Sequence, residues 1–158
     1  MSAAPQSFQV RDPNFEARVR DSFARQQVMT FIGATLDEVS PGHTEISLPY
    51  RPELSQQHGF FHGGIVGTIA DSAAGYAGYT LMPHDASVLT VEYKLNLMAP
   101  ADGERLIARG RVIRPGKTLV VTEADVFVSK AGEERQCAVL LQTLMCMHQR
   151  PDTAERAA

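Results

Sequence analysis

Apolar and polar residues alternate with a period of two through most of the second half of the chain. This pattern is typical of extended strands with one apolar and one polar face. Four segments show it: 89–97, 105–114, 119–129 and 135–147. Short stretches containing Gly or Pro separate them, so we expect four consecutive antiparallel strands.

The first third of the chain predicts a helix followed by two more strands. Phenylalanine or valine recurs every four residues over 15–23 among charged side chains, which predicts an amphipathic helix ending near Thr30. Asp12-Pro13 supplies its N-cap and first helical residue. Segments 36–40 and 44–50 flank a Pro-Gly-His sequence and indicate a hairpin.

Residues 63–81 predict a second helix with unusually small side chains. Seven of its interior residues are Gly or Ala: Gly67, Ala70, Ala73, Ala74, Gly75, Ala77 and Gly78. Each interior Gly costs about 0.5–1 kcal/mol relative to Ala, so close approach of another backbone must compensate. We therefore expect a central helix against a six-stranded sheet, an α+β domain with an extra N-terminal helix. One sheet edge and part of the helix stay uncovered, which predicts a partner subunit.

Composition and charge bound the domain and its partners. The chain has 158 residues, 44% apolar, which is enough for one domain with a substantial core. We expect this domain at 12–148, between flexible tails at 1–11 and 149–158. The net charge of −3 argues against general affinity for nucleic acid. Because neither a membrane span nor a secretory signal is visible, we expect a cytoplasmic protein that does not bind membranes.

The two cysteines lie nine residues apart in one predicted strand. Cys137 and Cys146 are therefore roughly 30 Å apart, too far for a disulfide within the chain. Their odd spacing predicts that they lie on opposite faces of that strand. Both are expected to be small core residues.

The start of the central helix carries the best candidates for chemistry. Gly63 and Gly64 leave backbone N–H groups bare at the positive end of the helix dipole, which favours an oxyanion. His62 precedes them and can orient a carbonyl. Asp71 is a lone carboxylate among small apolar residues, so we expect it to face a polar cleft.

Each of these features also has a structural interpretation. The glycines can form a turn, His62 can cap the helix or sit satisfied in the core, and Asp71 can bond to nearby backbone. His58 and His62 have the spacing of a zinc-binding pair, but Gly59 disfavours a helix there and no acidic ligand is suitably placed. We expect no metal and no organic cofactor.

Three motifs follow one another along the chain: His62-Gly63-Gly64, then Ala70-Asp71-Ser72, then the strand 90–93 followed by Pro100-Ala101. Together they resemble the PaaI-type acyl-CoA thioesterases of the hot-dog superfamily, over about residues 30–148. The resemblance implies a hot-dog fold, in which an antiparallel sheet wraps around a long central helix. It also implies a homodimer, often assembled further into a dimer of dimers.

The resemblance assigns roles to individual residues. The Gly63 N–H would hold the thioester oxygen and His62 would align the carbonyl. Asp71 would act as nucleophile or general base, and Thr90 lies where the family often places a residue that positions water.

One position departs from the family pattern. The residue six before the histidine is commonly Asn, and here it is Gln56. The related 4-hydroxybenzoyl-CoA thioesterases have Gln there, so the role can persist with a longer side chain. Gln57 is the alternative if the loop shifts by one residue.

A basic hairpin is a candidate site for the phosphates of coenzyme A. Its five cations are Arg105, Arg109, Arg111, Arg114 and Lys117. In the family, the turn matching residues 114–117 lies near the coenzyme A arm. The substrate-binding candidates are therefore Gly64, Arg114, Gly116 and Lys117. A solvated strand face is the alternative interpretation of the basic residues.

The leading function is thus hydrolysis of an acyl-CoA thioester, which needs an oxyanion site, a carboxylate and a placed water. The alternatives are a hot-dog hydratase or dehydratase and a non-catalytic acyl-CoA-binding module. The acyl group is open, because the candidate pocket residues also suit core packing: Phe60, Phe61, Tyr76, Tyr79 and Met82.

Overall fold

The computed structural model describes residues 8–152, and most of both expected tails lies outside this range. The helices are α1 (Phe15–Arg25), α2 (Gln27–Ile32) and α3 (Gly63–Tyr79), with a 3-10 turn at Pro52–Leu54. The strands are β1 (Thr35–Ser40), β2 (His43–Pro49), β3 (Ser87–Leu97), β4 (Arg105–Pro115), β5 (Leu119–Lys130) and β6 (Glu133–Met147).

All six strands form one antiparallel sheet in the order β1-β2-β4-β5-β6-β3. The strands β1 and β3 therefore lie at its two edges. Helix α3 packs against one face of the sheet, and α1 and α2 precede them in the chain. The expected α+β fold, with a six-stranded sheet, a central helix and an additional N-terminal helical segment, is confirmed.

The small residues of α3 bring its backbone against the sheet. A Cβ atom added to Gly110 of β4 would lie 2.3 Å from the carbonyl carbon of Ala73. From β2, the Thr44 hydroxyl donates a hydrogen bond to the Ala73 carbonyl oxygen over 2.6 Å. The close approach that offsets the interior glycines therefore occurs between this helix and the sheet.

The N-terminal helical segment is broken, which differs from the expected single helix to Thr30. The break is at Gln26, which has extended backbone angles between α1 and α2. Asp12 does not cap α1 directly, since Asn14 occupies the N-cap position. The Asp12 carboxylate instead accepts from the Asn14 N–H over 2.9 Å and pairs with Arg18 over 2.8 Å. These two contacts of the Asp12 carboxylate fix the position of the chain where it enters α1.

The sheet has four β-bulges or register irregularities within the described residues, and two of them bear on the candidate site and the cysteines. One lies at Val91 in β3, between Thr90 and Glu92, and the other places Cys137 as an extra residue in β6. The prediction that the two cysteines lie on opposite faces is wrong. The bulge shifts the side-chain alternation, and Cys137 and Cys146 are both free and buried in the core.

The edge strand β3 exposes several large apolar side chains. Leu89, Val91, Tyr93 and Leu97 are each between 46% and 57% exposed. An exposed apolar edge strand is a ready surface for pairing with another chain. The expected uncovered edge is present, and the partner subunit stays a prediction.

Candidate active site

Helix α3 begins with a cap that His62 provides. The Nδ1 atom of His62 accepts a hydrogen bond from the Gly64 N–H over 2.9 Å. In this bond Nδ1 is unprotonated, so the exposed ring presents its Nε2–H as a donor. The sequence made Gly64 a substrate-binding candidate, but its backbone N–H already donates a hydrogen bond to His62. The Gly63 N–H has no acceptor among residues 8–152 and is the amide that a ligand can use.

A first cleft of about 460 Å³ opens beside this helix start. Gln56, Phe60, Gly63 and Cys137 are among the residues that line it. Gln57 is exposed and lies outside this lining, so Gln56 is the glutamine on the side of Gly63. The Gln56 side-chain oxygen accepts a hydrogen bond from the backbone N–H of His58.

Asp71 lies further along α3 at the centre of a polar cluster. Its Oδ1 atom accepts hydrogen bonds from the Thr90 hydroxyl, over 2.8 Å, and from the Gln142 side-chain amide. The Gln142 nitrogen also lies 3.1 Å from the Thr90 oxygen, and the Thr122 hydroxyl donates to the Gln142 oxygen over 3.2 Å. Within the described range, Asp71 Oδ2 has no hydrogen-bond partner.

The Asp71 cluster opens into a second cleft of about 260 Å³, which Gln26, Ser72 and Tyr76 also line. Asp71 lies eight positions after Gly63 in one continuous helix, which is about 12 Å at 1.5 Å per residue. A single chain therefore does not bring the helix start and the carboxylate to one ligand atom. The spacing of these residues in the sequence predicts this separation, and the structure places them in separate clefts.

The five cations of the basic hairpin divide into two groups. Arg105, Arg109 and Arg111 point away from α3 and are engaged in ion pairs with Asp37, Glu45, Glu134, Glu123 and Asp125. The hydrogen bonds that Arg109 donates to Glu134 and Glu45 raise the pKa of its guanidinium above the usual range. For these three arginines, the ion pairs favour the alternative interpretation, a solvated strand face. In the part of the chain that the structure describes, Arg114 and Lys117 form no ion pair.

The turn between β4 and β5 requires its glycine. A Cβ atom on Gly116 would lie 1.9 Å from the carbonyl oxygen of Leu119, so only Gly fits this turn. The backbone oxygen of Lys117 lies 2.8 Å from His148 Nε2, which ties the turn to the end of β6. The turn therefore presents Arg114 and Lys117 from a fixed backbone.

The apolar candidates for an acyl pocket are dispersed. Phe60 and Phe61 line the first cleft, and Tyr76 lines the second. Tyr79 and Met82 are buried core residues, with the Arg18 guanidinium 4.1 Å above the Tyr79 ring. Burial raises the pKa of Tyr76 to about 12, so its hydroxyl stays protonated near neutral pH.

Gln142 belongs to the Asp71 cluster and was not predicted from the sequence. Its position was signalled by the alternation of β6, where it falls between Leu140 and Leu144 on the buried face. A polar residue at an inward position of a strand indicates a buried hydrogen-bonded group. The alternation of β6 thus marks Gln142 as a buried polar residue, but it does not show that its hydrogen-bond partner is Asp71.

No group of three or more His, Cys, Asp or Glu side chains within residues 8–152 is arranged to hold a metal ion. No helix in the same range has the length and apolarity needed to cross a membrane.

Comparisons with known proteins give the family. The model of the thioesterase superfamily matches residues 58–134. A putative esterase of Halobacterium salinarum is 33% identical over 104 residues, covering 63% of this chain and 68% of the relative. Human acyl-coenzyme A thioesterase 13 is 27% identical over 100 residues, covering 63% of this chain and 71% of that protein.

Solved structures agree with this family. A thioesterase family protein from Silicibacter pomeroyi has a TM-score of 0.84 and 49% identity, covering 85% of this chain and 98% of that one. The Escherichia coli PaaI protein has a TM-score of 0.74 at 14% identity, covering 84% and 92% of the two chains, which shows a shared fold. The chain belongs to the thioesterase superfamily, as a thioester hydrolase with the hot-dog fold of the PaaI-type thioesterases.

Proposed function

We propose that this protein hydrolyses acyl-CoA thioesters to a free acid and coenzyme A, with Asp71 as nucleophile or general base. The observation that carries this proposal is the state of the Asp71 carboxylate. One oxygen is fixed by Thr90 and Gln142, while the other faces a cleft without a partner among the described residues. A carboxylate held in this way is oriented for chemistry on a bound carbonyl.

Both forms of the reaction use that free oxygen. As a general base, Asp71 removes a proton from water while the water oxygen attacks the thioester carbon, and the carbon–sulfur bond breaks. As a nucleophile, it forms a mixed anhydride that water then hydrolyses. In each case the departing coenzyme A thiolate takes up a proton, and no metal or organic cofactor is needed.

The start of α3 supplies the complementary charge. The free Gly63 N–H lies at the positive end of a 17-residue helix and suits the oxygen that becomes negative during attack. The His62 Nε2–H is an additional donor for aligning the carbonyl. Gln56, in the lining of the same cleft, is placed to contact the acyl thioester on that side.

We further propose that each site is built from two chains. Gly63 and Asp71 lie in separate clefts of one chain, so a site containing both needs the second from a partner subunit. A two-fold dimer that pairs the apolar β3 edges provides this arrangement twice. The family resemblance supports such a homodimer, and a dimer of dimers is the further assembly it suggests.

The turn at 114–117 is the proposed contact for the coenzyme A phosphates. Thr90 and Val120 pair with the same residue of β6, so they lie about 10 Å apart across two strand spacings. Because the turn ends three positions before Val120, near the start of β5, Arg114 and Lys117 lie near the sheet end that carries Thr90. The name of the human relative, an acyl-coenzyme A thioesterase, supports this substrate class.

The test is thiol release from a panel of acyl-CoA substrates by wild-type and Asp71→Asn protein. Asparagine keeps the size of the side chain but is neither a base nor an anionic nucleophile. We expect kcat to fall by about 10²–10⁴-fold. Asp21→Asn, an exposed aspartate of α1, is the matched control and should retain full activity.

Two outcomes would contradict the proposal. If the wild-type protein releases thiol from simple acyl thioesters but from no acyl-CoA, the substrate class is wrong. If Asp71→Asn keeps more than half of the wild-type kcat, the role of Asp71 is wrong.

A further inference from the structure

The last strand of the sheet brings a fully buried amide to Asp71. Gln142 is 0% exposed and lies in β6 between Leu140 and Leu144, which are also buried. A leucine at this position would continue the apolar face, whereas burying an amide is unfavourable unless its polar atoms are hydrogen-bonded. The amide is therefore placed there at a cost that its hydrogen bonds must offset.

The hydrogen bonds define how this amide is oriented. The Asp71 carboxylate only accepts hydrogen bonds, so the amide nitrogen of Gln142 must face it. The Gln142 oxygen then faces Thr122, whose hydroxyl donates to it over 3.2 Å. Thr122 is also 0% exposed and is the direct partner of Gln142 in the register of β5 and β6.

We infer that Gln142 is a positioning residue for Asp71 and that Thr122 acts behind it by fixing the amide. With Gln142 and Thr90 both bonded to Oδ1, rotation of the carboxylate is restricted and Oδ2 is directed to the cleft. Gln142 itself touches no reacting atom. The inference deepens the proposed function and rests on its assignment of Asp71.

The experiment separates kcat from KM in thioester hydrolysis, using an acyl-CoA and the matching acyl-N-acetylcysteamine. Gln142→Met keeps the length of the side chain and removes the donor. Its kcat should fall about 10- to 100-fold, the range that one hydrogen bond to a charged group is worth. KM should stay within threefold, because the contact does not bind substrate.

The double variant tests the order of the three residues. Thr122→Val should lower kcat less than Gln142→Met does. The Thr122 variant loses the hydroxyl that orients the Gln142 amide but keeps the N–H group that donates to Asp71. Thr122→Val combined with Gln142→Met should equal Gln142→Met alone, because Thr122 acts only through the amide. A merely structural role would instead make the two losses multiply.

Thr44→Val is the matched control for the threonine change. Thr44 is a fully buried threonine of β2 whose hydroxyl donates to the Ala73 carbonyl of α3 and takes no part in the hydrogen bonds among Asp71, Thr90 and Gln142. Its loss should lower the melting temperature and leave kcat within twofold of wild type.

A second measurement does not depend on how the Gln142 variants fold. In ¹⁵N-labelled protein, the side-chain amide protons of Gln142 should exchange slowly and shift when Asp71 becomes Asn. Unchanged Gln142 amide signals in Asp71→Asn protein would overturn the inference. A Gln142→Met kcat within twofold of wild type, or multiplying losses in the double variant, would overturn it as well.

These results also distinguish the inference from the proposal beneath it. An inactive Asp71→Asn together with a fully active Gln142→Met refutes the inference alone. An active Asp71→Asn refutes the role of Asp71 and, with it, the role of Gln142.

Discussion

At the scale of single residues, charge pairing distinguishes side chains that look equivalent in the sequence. Arg109 is bound by two carboxylates, Glu45 of β2 and Glu134 of β6, whereas Arg114 and Lys117 form no ion pair in the described part of the chain. An arginine that already holds two carboxylates is a poor receptor for a phosphate, because binding would first break existing pairs. The unpaired cations at the turn are therefore the better candidates for the nucleotide of coenzyme A.

Replacement of Arg114 and Lys117 by Ala should raise KM for acyl-CoA about 10-fold and leave kcat nearly unchanged. Contacts that bind the ground state and the transition state equally act on KM. The matched acyl-pantetheine lacks the nucleotide, so its KM should not change. Arg111→Ala, on the same hairpin but paired with Glu123, is the control and should leave both KM values unchanged. Equal losses on the two substrates would assign the turn a structural role.

Residue type indicated part of the candidate site. Asp71 was found because a lone carboxylate among alanines is unusual, and the family resemblance pointed to Thr90. Gln142 was missed because its partners lie on α3, β3 and β5, and only the folded register brings these elements together. The same limit applies to Arg109, since its acidic partners are distant in the sequence.

At the scale of elements, the slim central helix was predictable and the irregularities of the strands were not. Glycine and alanine content alone indicated that α3 is closely packed, as the contact between Gly110 and Ala73 shows. The bulges at Val91 and Cys137 leave no clear signature in a sequence that alternates regularly. They depend on how neighbouring strands curve around the helix.

The packing of α3 predicts opposite effects for two glycine substitutions. Gly110→Ala should destabilise the protein by about 3 kcal/mol, because its Cβ would meet the helix backbone at 2.3 Å. The melting temperature should fall by roughly 6–12 °C for a chain of this size. Gly75→Ala, inside α3 with open space around its Cβ position, should stabilise by about 0.5–1 kcal/mol. Equal melting temperatures for these two variants would contradict the close packing between α3 and β4.

At the scale of the whole molecule, the residues of the proposed site lie at two separate places on one chain. The helix start and its cleft hold the donors, and the Asp71 cluster holds the carboxylate about 12 Å further along the same helix. The apolar side chains exposed along β3 lie beside both clefts, since Leu97 lines the first and Leu89 lines the second. A second chain across this edge would both cover the apolar strand and complete each half.

Subunit mixing tests this arrangement directly. Asp71→Ala and His62→Ala homodimers should each be nearly inactive, since each damages both sites. A heterodimer with one chain of each kind has one intact site and one doubly damaged site, so it should show about half of the wild-type activity per dimer. Different affinity tags on the two chains allow the heterodimer to be purified after subunit exchange.

Mixing Asp71→Ala with Thr90→Val is the control. Both residues belong to the same half-site, so this pair should not regain a fully intact site. A purified Asp71→Ala and His62→Ala heterodimer without activity would show that the two residues do not meet across an interface.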